Sequence, residues 1–385
     1  MSTRFHAAAE VIRVIIGIPR EVKNGEHRVG LTPDKVDVVV KAGLKVVVES
    51  GAGAGASFKD EDYKAAGASI VPRHEQVYEQ ADIVAKVKEP QPEEFELLRE
   101  ELTLFCYLHL AAEPPVAKAL LQAKVAGVAY ETVQEPNGSL PLLYPMSEIA
   151  GRLAPQVAAR LLQSDYGGAG RLLGGVPGTE ACRFIVVGGG TVGFNAAFVA
   201  TGLGSRVTIF DVNLERLRYI EHITRGSIKA LLSTPSTLPA FLARADVVVG
   251  AVLVPGAKAP RVITKEMVAR MKEKAVLIDV AIDQGGSVEG IRPTSLAEPT
   301  YKVNGVTHYA VTNIPGMVAN TSSVSLANAT YPYLIKLANT GIEKLVRDAH
   351  PLAKGLNTYK GHVTHPAVAE ALGEKYTQPA EALQA

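Results

Sequence analysis

Short runs of Val, Ile, Leu and Ala recur along the first third of the chain. Four of them predict strands buried on both faces: Arg13–Ile18, Leu44–Glu49, Asp82–Val87 and Leu102–Leu108. Such continuous apolar runs are typical of parallel sheets, because helices cover both faces of these sheets. Between the first two runs, Thr32–Ala42 predicts a helix that begins at a Thr-Pro-Asp cap and ends before Gly43. Strand and helix alternate in this way to about residue 135, which indicates an α/β region.

A second series of apolar runs begins near Arg183. Its strand candidates are Arg183–Val187, Arg206–Phe210, Asp246–Gly250, Ala275–Val280 and Val306–Val311. Between the two series, Met146–Ser164 predicts a long helix, because it is rich in Ala and Leu and lacks Gly after Gly151. Thr321–Asn339 predicts another long helix, which Pro332 should kink or split.

These patterns predict an α/β fold of two Rossmann-like domains, each with a doubly wound and mainly parallel sheet, joined by the two long helices. We expect residues 1–141 plus 320–385 to form one discontinuous domain, with the C-terminal segment packed back on the first region. Residues 142–319 should form the second domain. Residues 1–12 do not have the pattern of a secretory signal and should be an extension ahead of the fold.

Composition narrows the class of protein. The 385 residues include 40 Lys plus Arg and 39 Asp plus Glu, for a net charge of +1, and hydrophobic residues make up 47%. The balanced charge argues against a nucleic-acid partner. The longest apolar runs, such as Ala245–Val254, are too short to span a bilayer, so we expect no membrane anchor. Cys106 and Cys182 lie within apolar runs and should be buried thiols in a reducing compartment, which favours the cytoplasm.

A Gly-rich turn opens the second series. Gly188, Gly190 and Gly193 form G-x-G-x-x-G between a strand and an Ala-rich helix, and the following strand ends in Asp211. The glycines allow a tight turn, the approach of a pyrophosphate and close packing of helix on strand. A carboxylate at Asp211 would bind ribose hydroxyls and repel a 2′-phosphate, which favours NAD over NADP. The alternative is a structural turn without a ligand.

Ionisable residues follow several of the predicted strands. Arg28 comes after the first strand, Lys86 and Lys88 end another, His109 ends the run LTLFCYLHL, and Asp283 follows AVLIDVAI. Ligands bind at the carboxyl ends of the strands in open parallel sheets. Arg can grip a carboxylate with two hydrogen bonds, Lys can polarise a carbonyl or imine, and His can move a proton near neutral pH. Together they would suit a small carboxylate substrate that exchanges hydride with a nicotinamide.

Each of these residues also has a structural interpretation. Arg28 could be a surface cation, and His109 could be a hydrogen-bonded core histidine. Lys86 and Lys88 point to the same face of their strand, and at least one should be solvated or paired. Asp283 could cap a turn, because Asp-x-Gly is common turn chemistry. Their joint placement favours a site more strongly than any one of them. No pair of histidines has metal-ligand spacing, so we expect no catalytic metal.

The chain resembles the L-alanine dehydrogenase family, which also contains the NAD-binding subunit of proton-translocating transhydrogenase. The resemblance runs from about Val14 to the last dozen residues. It is carried by GIPREVKNGEHRVGLTP, KVKEP, YLHLAA, AYETVQ, PMSEIAGRLA, GGVPG, GAVLVPGAKAP, DVAIDQGG and NATYPY. One departure is Ala319-Asn320, where relatives often have a Pro.

The resemblance implies roles for particular residues. Arg28 and Lys88 correspond to the family's substrate-binding pair, and His109 and Asp283 to its catalytic acid and base. It also implies that residues 142–319 form the NAD-binding Rossmann domain and that the other domain carries the substrate site. Besides the Gly-rich turn and Asp211, the implied cofactor contacts are Ser147, Thr191, Val192, Arg216, Ser233, Val252, Leu253, Val280, Ala281, Ile282, Arg292, Val311, Thr312, Asn313 and Ile314.

The activity implied by the resemblance is NAD-dependent oxidative deamination of L-alanine to pyruvate and ammonia, and its reversal, in a homohexamer. One alternative is an NAD(H)-binding subunit of transhydrogenase, although that subunit typically lacks a carboxylate at the position of Asp283. A second is a non-catalytic NAD-binding regulatory protein, against which the retention of all four polar candidates argues. A third is a related dehydrogenase for a larger amino acid or a lysine–keto acid adduct.

Overall fold

The computed structural model describes residues 14–252 and 259–384. Its strands follow the two series of apolar runs. In chain order they are β1 Ile15–Ile18, β2 Lys45–Glu49, β3 Ser69–Val71, β4 Ile83–Ala85, β5 Thr103–Cys106, β6 Ala126–Ala129, β7 Arg183–Val187, β8 Arg206–Asp211, β9 Lys229–Leu232, β10 Val247–Gly250, β11 Val276–Asp279, β12 Thr300–Val303, β13 Val306–Tyr309, β14 Leu356–Tyr359 and β15 His362–Val363.

The strands form two sheets. The first has the order β15-β14-β6-β5-β4-β1-β2-β3, and the second has the order β12-β13-β11-β10-β7-β8-β9. Each contains six parallel strands in the doubly wound order 3-2-1-4-5-6. Antiparallel strands extend one edge of each sheet, β14 and β15 in the first and β12 in the second. The predicted α/β fold with two doubly wound, mainly parallel sheets is therefore confirmed.

Helices cover the faces of the sheets. They are α1 Pro33–Lys41, α2 Asp60–Ala65, α3 His74–Gln80, α4 Pro114–Gln122, α5 Tyr144–Leu161, α6 Thr191–Gly202, α7 Leu214–Thr224, α8 Thr237–Leu242, α9 Lys265–Ala269, α10 Ala319–Thr340, α11 Ile342–Arg347, α12 Pro351–Gly355, α13 Pro366–Leu372 and α14 Pro379–Ala382. The long helices α5 and α10 lie between the strands of one sheet and those of the other along the chain, and they pack against each other.

Pro332 does not split α10, which runs without a break from Ala319 to Thr340. The helix buries a stripe that includes Leu326, Thr330, Leu334 and Leu337. Packing of this stripe offsets the hydrogen bond that proline cannot donate. Of the two outcomes predicted for Pro332, the split is therefore wrong, and the kink stays a prediction. Helix α5 similarly continues through a proline, Pro155.

The core is formed by the strands that the apolar runs predicted. Residues of β1, β4, β5, β7, β10 and β11 are almost entirely buried, as expected where helices cover both faces of a parallel sheet. Cys106 and Cys182 are both buried free thiols. Among the described residues, no helix is long and apolar enough to cross a membrane. The carboxyl ends of both parallel sheets carry the loops described next.

Candidate active site

Two adjoining cavities lie at the carboxyl ends of the two sheets. The first, of about 90 Å³, contains the predicted substrate and acid–base residues, and we call it the substrate cavity. The second, of about 590 Å³, runs along the Gly-rich turn, and we call it the dinucleotide cleft. Leu143, Ser147 and Val192 line both, so the two cavities are neighbours. Ligands bind at this edge of open α/β sheets.

The Gly-rich turn fits a dinucleotide pyrophosphate. Gly188 has φ +106°, and a Cβ there would lie 2.4 Å from the carbonyl oxygen of Ala251. A Cβ on Gly193 would lie 1.8 Å from the carbonyl oxygen of Gly188, so only glycine allows α6 to pack this closely. At Gly190 a Cβ would meet nothing within 4 Å, which leaves the start of α6 open to a ligand. The N-terminus of α6 can therefore face an anion.

Asp211, at the end of β8, closes the far part of the dinucleotide cleft. Its two carboxylate oxygens accept hydrogen bonds from the backbone N–H groups of Gly189 (2.6 Å) and Asn213 (2.8 Å), which orient the side chain. Arg216 lies beside this turn and donates from Nε to the carbonyl oxygen of Gly189. Ser233 lines the same cleft. A carboxylate held at the end of β8 is suited to binding ribose hydroxyls.

Arg28 is buried in the wall of the substrate cavity, with 2% of its surface exposed. Glu26 accepts hydrogen bonds from its Nε (2.7 Å) and Nη2 (2.5 Å), and Nη2 also donates to Oδ1 of Asn313. The near partner of Nη1 is the Met146 sulfur at 2.9 Å, a weak acceptor, so this group keeps donor capacity. Burial by itself raises the pKa of the Glu26 carboxyl. The charge and hydrogen bonds of Arg28 lower this pKa by more than burial raises it, so that it is about 2. The pair is therefore ionised and rigid.

The structure separates the two lysines that the sequence left ambiguous. Lys86 is fully buried and donates to Glu94 at 2.7 Å, with Glu21 at 3.8 Å. Lys88, two residues later, lines the substrate cavity, and its ammonium group has no ion-pair partner among residues 14–252 and 259–384. Lys86 is therefore a structural cation. Lys88 remains free to meet a substrate carboxylate.

His109 follows β5 in a left-handed conformation, with φ 47°. Glu131 accepts a hydrogen bond from the His109 backbone N–H (2.7 Å), and its carboxylate lies 3.9 Å from the ring Nδ1. The ring stacks on Tyr107, with centroids 5.8 Å apart and planes 5° apart. A left-handed backbone is uncommon for residues other than glycine, although histidine adopts it more often than most. The contacts with Glu131 and Tyr107 hold the imidazole at the wall of the substrate cavity.

Asp283 and Asn313 complete the cavity from the other sheet. Asp283 lies in a 3₁₀ turn, Ile282–Gln284, directly after β11. Both its carboxylate oxygens lie 3.2 Å from the backbone N–H of Asn313. The Nδ2 group of Asn313 donates to Glu26 at 2.6 Å. Asn313 therefore connects the carboxylate of one domain with the Arg28–Glu26 pair of the other.

Family models match nearly the whole chain. The N-terminal domain model described as alanine dehydrogenase/PNT matches residues 17–150, and the C-terminal domain model matches residues 154–366. The chain belongs to the alanine dehydrogenase/PNT family. An alanine dehydrogenase of Methanococcus maripaludis is 50% identical over 371 residues, which cover 96% of this chain and 100% of that protein.

Two solved structures of the family differ in how closely they resemble this chain. An L-alanine dehydrogenase superimposes with a TM-score of 0.88 at 46% identity, over 94% of this chain and 99% of the other. The transhydrogenase from Sinorhizobium meliloti superimposes with a TM-score of 0.75 at 25% identity, over 92% of this chain and 99% of the other. The similarity to alanine dehydrogenase is the stronger on both measures.

The structure places most of the residues implied by the family resemblance at these cavities. Those that line the substrate cavity are Ser147, Val192, Val280, Ala281, Val311, Asn313 and Ile314. Those that line the dinucleotide cleft are Ser147, Gly188, Gly190, Thr191, Val192, Asp211, Ser233 and Val252. Ile282 and Thr312 line an adjoining cavity of about 330 Å³ that also contains His109 and Asp283. Leu253 lies outside the described residues.

Arg292 is not brought to these cavities in the structure. Its side chain is exposed, and its guanidinium lies 4.1 Å from the centroid of the Tyr301 ring. Gly193 and Arg216 support the turn from behind and beside it. Within the described residues, no group of three or more His, Cys, Asp or Glu side chains could hold a metal ion.

Three residues of the site were not predicted from the sequence. Glu26 lies two positions before Arg28, and the spacing E-H-R in an extended loop places both on one side, so this pair could have been recognised. Tyr107 has the same spacing from His109. Glu131, in the quoted block AYETVQ, carries no local signal, because its contact with His109 depends on the pairing of β5 with β6.

Proposed function

We propose that this protein catalyses the reversible NAD-dependent oxidative deamination of L-alanine to pyruvate and ammonium. The observation that carries the proposal is a single cavity lined by Arg28, Lys88, His109 and Asp283, which adjoins the dinucleotide cleft. Identity of 50% to an alanine dehydrogenase over nearly the whole chain supports the same activity.

In this proposal the cations hold the substrate carboxylate. Lys88 and the Nη1 group of Arg28 offer N–H donors that the described residues leave largely unused. Glu26 and Asn313 keep the guanidinium in place, so that little conformational entropy is lost when the carboxylate binds. The apolar side chains of Met146, Val280 and others around the cavity leave room for a small substrate side chain.

The cofactor proposed is NAD, held by the Gly-rich turn, the start of α6 and Asp211. When bound, its nicotinamide supplies the acceptor for the hydride that leaves Cα. Within the chain, a base removes a proton from the substrate ammonium group, and the nitrogen lone pair then forms the C=N bond as Cα loses hydride. Asp283 lies in position to stabilise the positive charge of the iminium.

Hydrolysis of the iminium requires proton transfers that we assign to His109 and Asp283. Water adds to the iminium carbon and gives up a proton, which forms the carbinolamine. The carbinolamine nitrogen takes a proton and the hydroxyl gives its proton to a base, so that the oxygen electron pair forms the C=O bond and the Cα–N bond breaks with its electron pair on nitrogen. His109 and Asp283 both line the cavity, so each can exchange protons with the substrate.

A transhydrogenase NAD(H)-binding subunit is the second candidate within the family. The 25% identity to the Sinorhizobium meliloti transhydrogenase supports it less than the identities of 46% and 50% to alanine dehydrogenases support the first. We also propose that the protein is cytoplasmic and forms homohexamers, as the family resemblance implies. Sedimentation velocity of the purified protein tests the assembly.

The test of the proposed function is an NADH absorbance assay with L-alanine and NAD. We expect turnover with L-alanine and NAD, weak turnover with L-serine, and none with L-lysine. His109→Ala should abolish turnover while NADH still binds with wild-type affinity. No activity of the wild type with L-alanine would overturn the proposal, and normal kcat in H109A would remove His109 from the mechanism.

A further inference from the structure

A further small cavity of about 20 Å³, enough for one molecule the size of water, borders His109 and Asp283, and we call it the rear cavity. Three residues, His109, Asp283 and Gln284, line both the rear cavity and the substrate cavity. The remaining lining residues are Leu110, Ala111, Ala112, Glu131, Thr132, Asn357 and Val368. The proposed acid–base residues and their neighbour therefore border both cavities.

Asn357 presents an unused acceptor at the rear cavity. This residue is completely buried in β14, and its Nδ2 group donates to Thr132 Oγ1 (2.7 Å) and to the carbonyl oxygen of Gly355 (3.0 Å). A backbone carbonyl can only accept, so the orientation of the amide is fixed by these contacts. Its Oδ1 then has no hydrogen-bond partner among the described residues. A buried acceptor without a partner is costly, which points to a ligand with N–H or O–H donors.

Other polar side chains of the rear cavity also offer hydrogen-bond acceptors. Gln284 Oε1 is buried and has no partner among the described residues. Glu131 and Asp283 bring carboxylates, and no Lys or Arg is among the described residues that line the cavity. Amide oxygens and carboxylates together favour a small cation that carries several N–H donors.

We infer that the rear cavity binds ammonium, the nitrogen-containing co-substrate and product of the reaction. This inference rests on the proposed function. In the amination direction, His109 takes a proton from ammonium, and the resulting ammonia moves past His109 into the substrate cavity, where its lone pair attacks the carbonyl carbon of pyruvate. The C=O π pair moves to oxygen, and the protonated imidazole returns its proton to that oxygen, which gives the protonated carbinolamine. Because His109 borders both cavities, the proton transfer from ammonium and the proton transfer to the carbonyl oxygen are both short.

Two variants test the ammonium site by different means. Asn357→Leu removes the acceptor, and Val368→Met fills the rear cavity while all hydrogen bonds of Asn357 are retained. Thr358→Val is the matched control, because Thr358 is the next residue of β14, equally buried, and bonds to the Val125 carbonyl oxygen instead.

The kinetic readout is reductive amination with ammonium chloride, pyruvate and NADH. We expect Asn357→Leu and Val368→Met to raise the KM for ammonium about tenfold or more, with the KM for pyruvate within about twofold of wild type. T358V should keep the wild-type KM for ammonium. An unchanged KM for ammonium in V368M, or an equal rise of both KM values in it, would overturn the inference even if N357L does not fold.

A binding readout separates this inference from the proposed function. Thermal unfolding of the wild type is measured in ammonium chloride and in tetramethylammonium chloride at equal ionic strength, without pyruvate or alanine. Ammonium should raise Tm relative to tetramethylammonium, which has no N–H donor, and V368M should lose the difference. A protein that shows this shift but does not oxidise alanine would retain the cation site and lose the proposed function. The absence of any shift in the wild type would contradict the site itself.

Discussion

The side-chain oxygen of Asn313 accepts a hydrogen bond from the guanidinium of Arg28, and this contact joins the two sheets across the substrate cavity. The same residue donates from Nδ2 to Glu26 and from its backbone N–H to Asp283. One asparagine therefore couples the proposed substrate clamp on one domain to the proposed acid–base carboxylate on the other. Its φ of 63° lies in the left-handed region, which few residues other than Gly, Asn and Asp adopt readily.

Two replacements of Asn313 test separately the effect of its side-chain contacts and the effect of its left-handed backbone. Asn313→Gly removes the bonds to Arg28 and Glu26 but tolerates the left-handed backbone. We expect the KM for pyruvate to rise about tenfold, because the guanidinium loses a charge-assisted contact. Asn313→Ala should have the same kinetic effect and should also unfold with about 1 kcal/mol less stability than N313G, since alanine is strained there. Steady-state kinetics and urea unfolding measure both, and equal stability of the two variants would contradict the strain.

The same substitution should lower stability at Lys86 and activity at Lys88. Lys86→Met leaves the Glu94 carboxylate buried without its cation, which should lower the free energy of unfolding by about 3–5 kcal/mol. Lys88→Met removes no ion pair among the described residues, so stability should stay within about 1 kcal/mol of wild type. Instead kcat/KM for alanine should fall about 100-fold, because a charge-assisted bond to substrate is lost. A stable K88M with wild-type kcat/KM would exclude Lys88 from the site.

Glu131 should affect turnover through its hold on His109. Glu131→Gln removes the negative charge near the imidazole. Both carboxylate oxygens of Glu131 accept from the backbone N–H of Leu108, and the substitution replaces one of these acceptors by an NH2 group, which can only donate. We expect kcat to fall about tenfold or more in both directions while the Kd for NADH is unchanged, because the dinucleotide cleft does not include Glu131. Stopped-flow NADH binding and steady-state rates separate these effects, with the exposed Glu101→Gln as control. A rise in the NADH Kd without loss of kcat would contradict this role.

Asp211 should decide the preference between the two nicotinamide dinucleotides. Asp211→Ser removes the carboxylate next to Arg216 and leaves that cation available to a 2′-phosphate. We expect kcat/KM for NAD to fall about tenfold and kcat/KM for NADP to rise, so that the ratio of the two changes about 100-fold. Assays with both dinucleotides at saturating alanine measure this ratio. A wild-type protein with equal kcat/KM for NADP and NAD would be inconsistent with the prediction.

His74 should make the stability of the first domain depend on pH. Burial alone lowers its pKa, but hydrogen bonds and charge from Glu49 (2.7 Å) and Glu94 (3.2 Å) raise it to about 9. Because the pKa is raised on folding, this contribution to stability is complete below about pH 6.5, the unfolded value, and is lost as pH rises through about 9. His74→Gln should lack a pH-dependent contribution of about 3 kcal/mol over this range. Urea unfolding of the wild type and of H74Q from pH 6 to pH 10 measures this contribution. If the free energy of unfolding of the two proteins changes with pH in parallel, His74 does not couple stability to pH.

Local patterns were sufficient to predict the two parallel sheets and the dinucleotide turn. Continuous apolar runs mark strands covered on both faces, and the spacing of Gly188, Gly190 and Gly193 specifies a turn that only residues without a side chain can form. The polar residues after strand ends could also be predicted to lie together, since the carboxyl ends of parallel strands share one edge. Short edge strands such as β9 and β15 were missed, because pairing with a neighbour stabilises them more than their own residues do.

By itself, the sequence of this protein determined where strands and turns form and which residue types reach the cavity edge, because periodicity and turn chemistry depend on near neighbours along the chain. Tertiary structure alone decided which lysine is paired, since Lys86 and Lys88 both follow β4, which ends at Ala85, and only Lys86 meets Glu94. It also decided that α10 continues through Pro332, because packing outweighs one missing hydrogen bond. The rear cavity is the clearest case. Its acceptors, Glu131 and Asn357, are distant in sequence and meet because β14 pairs with β6.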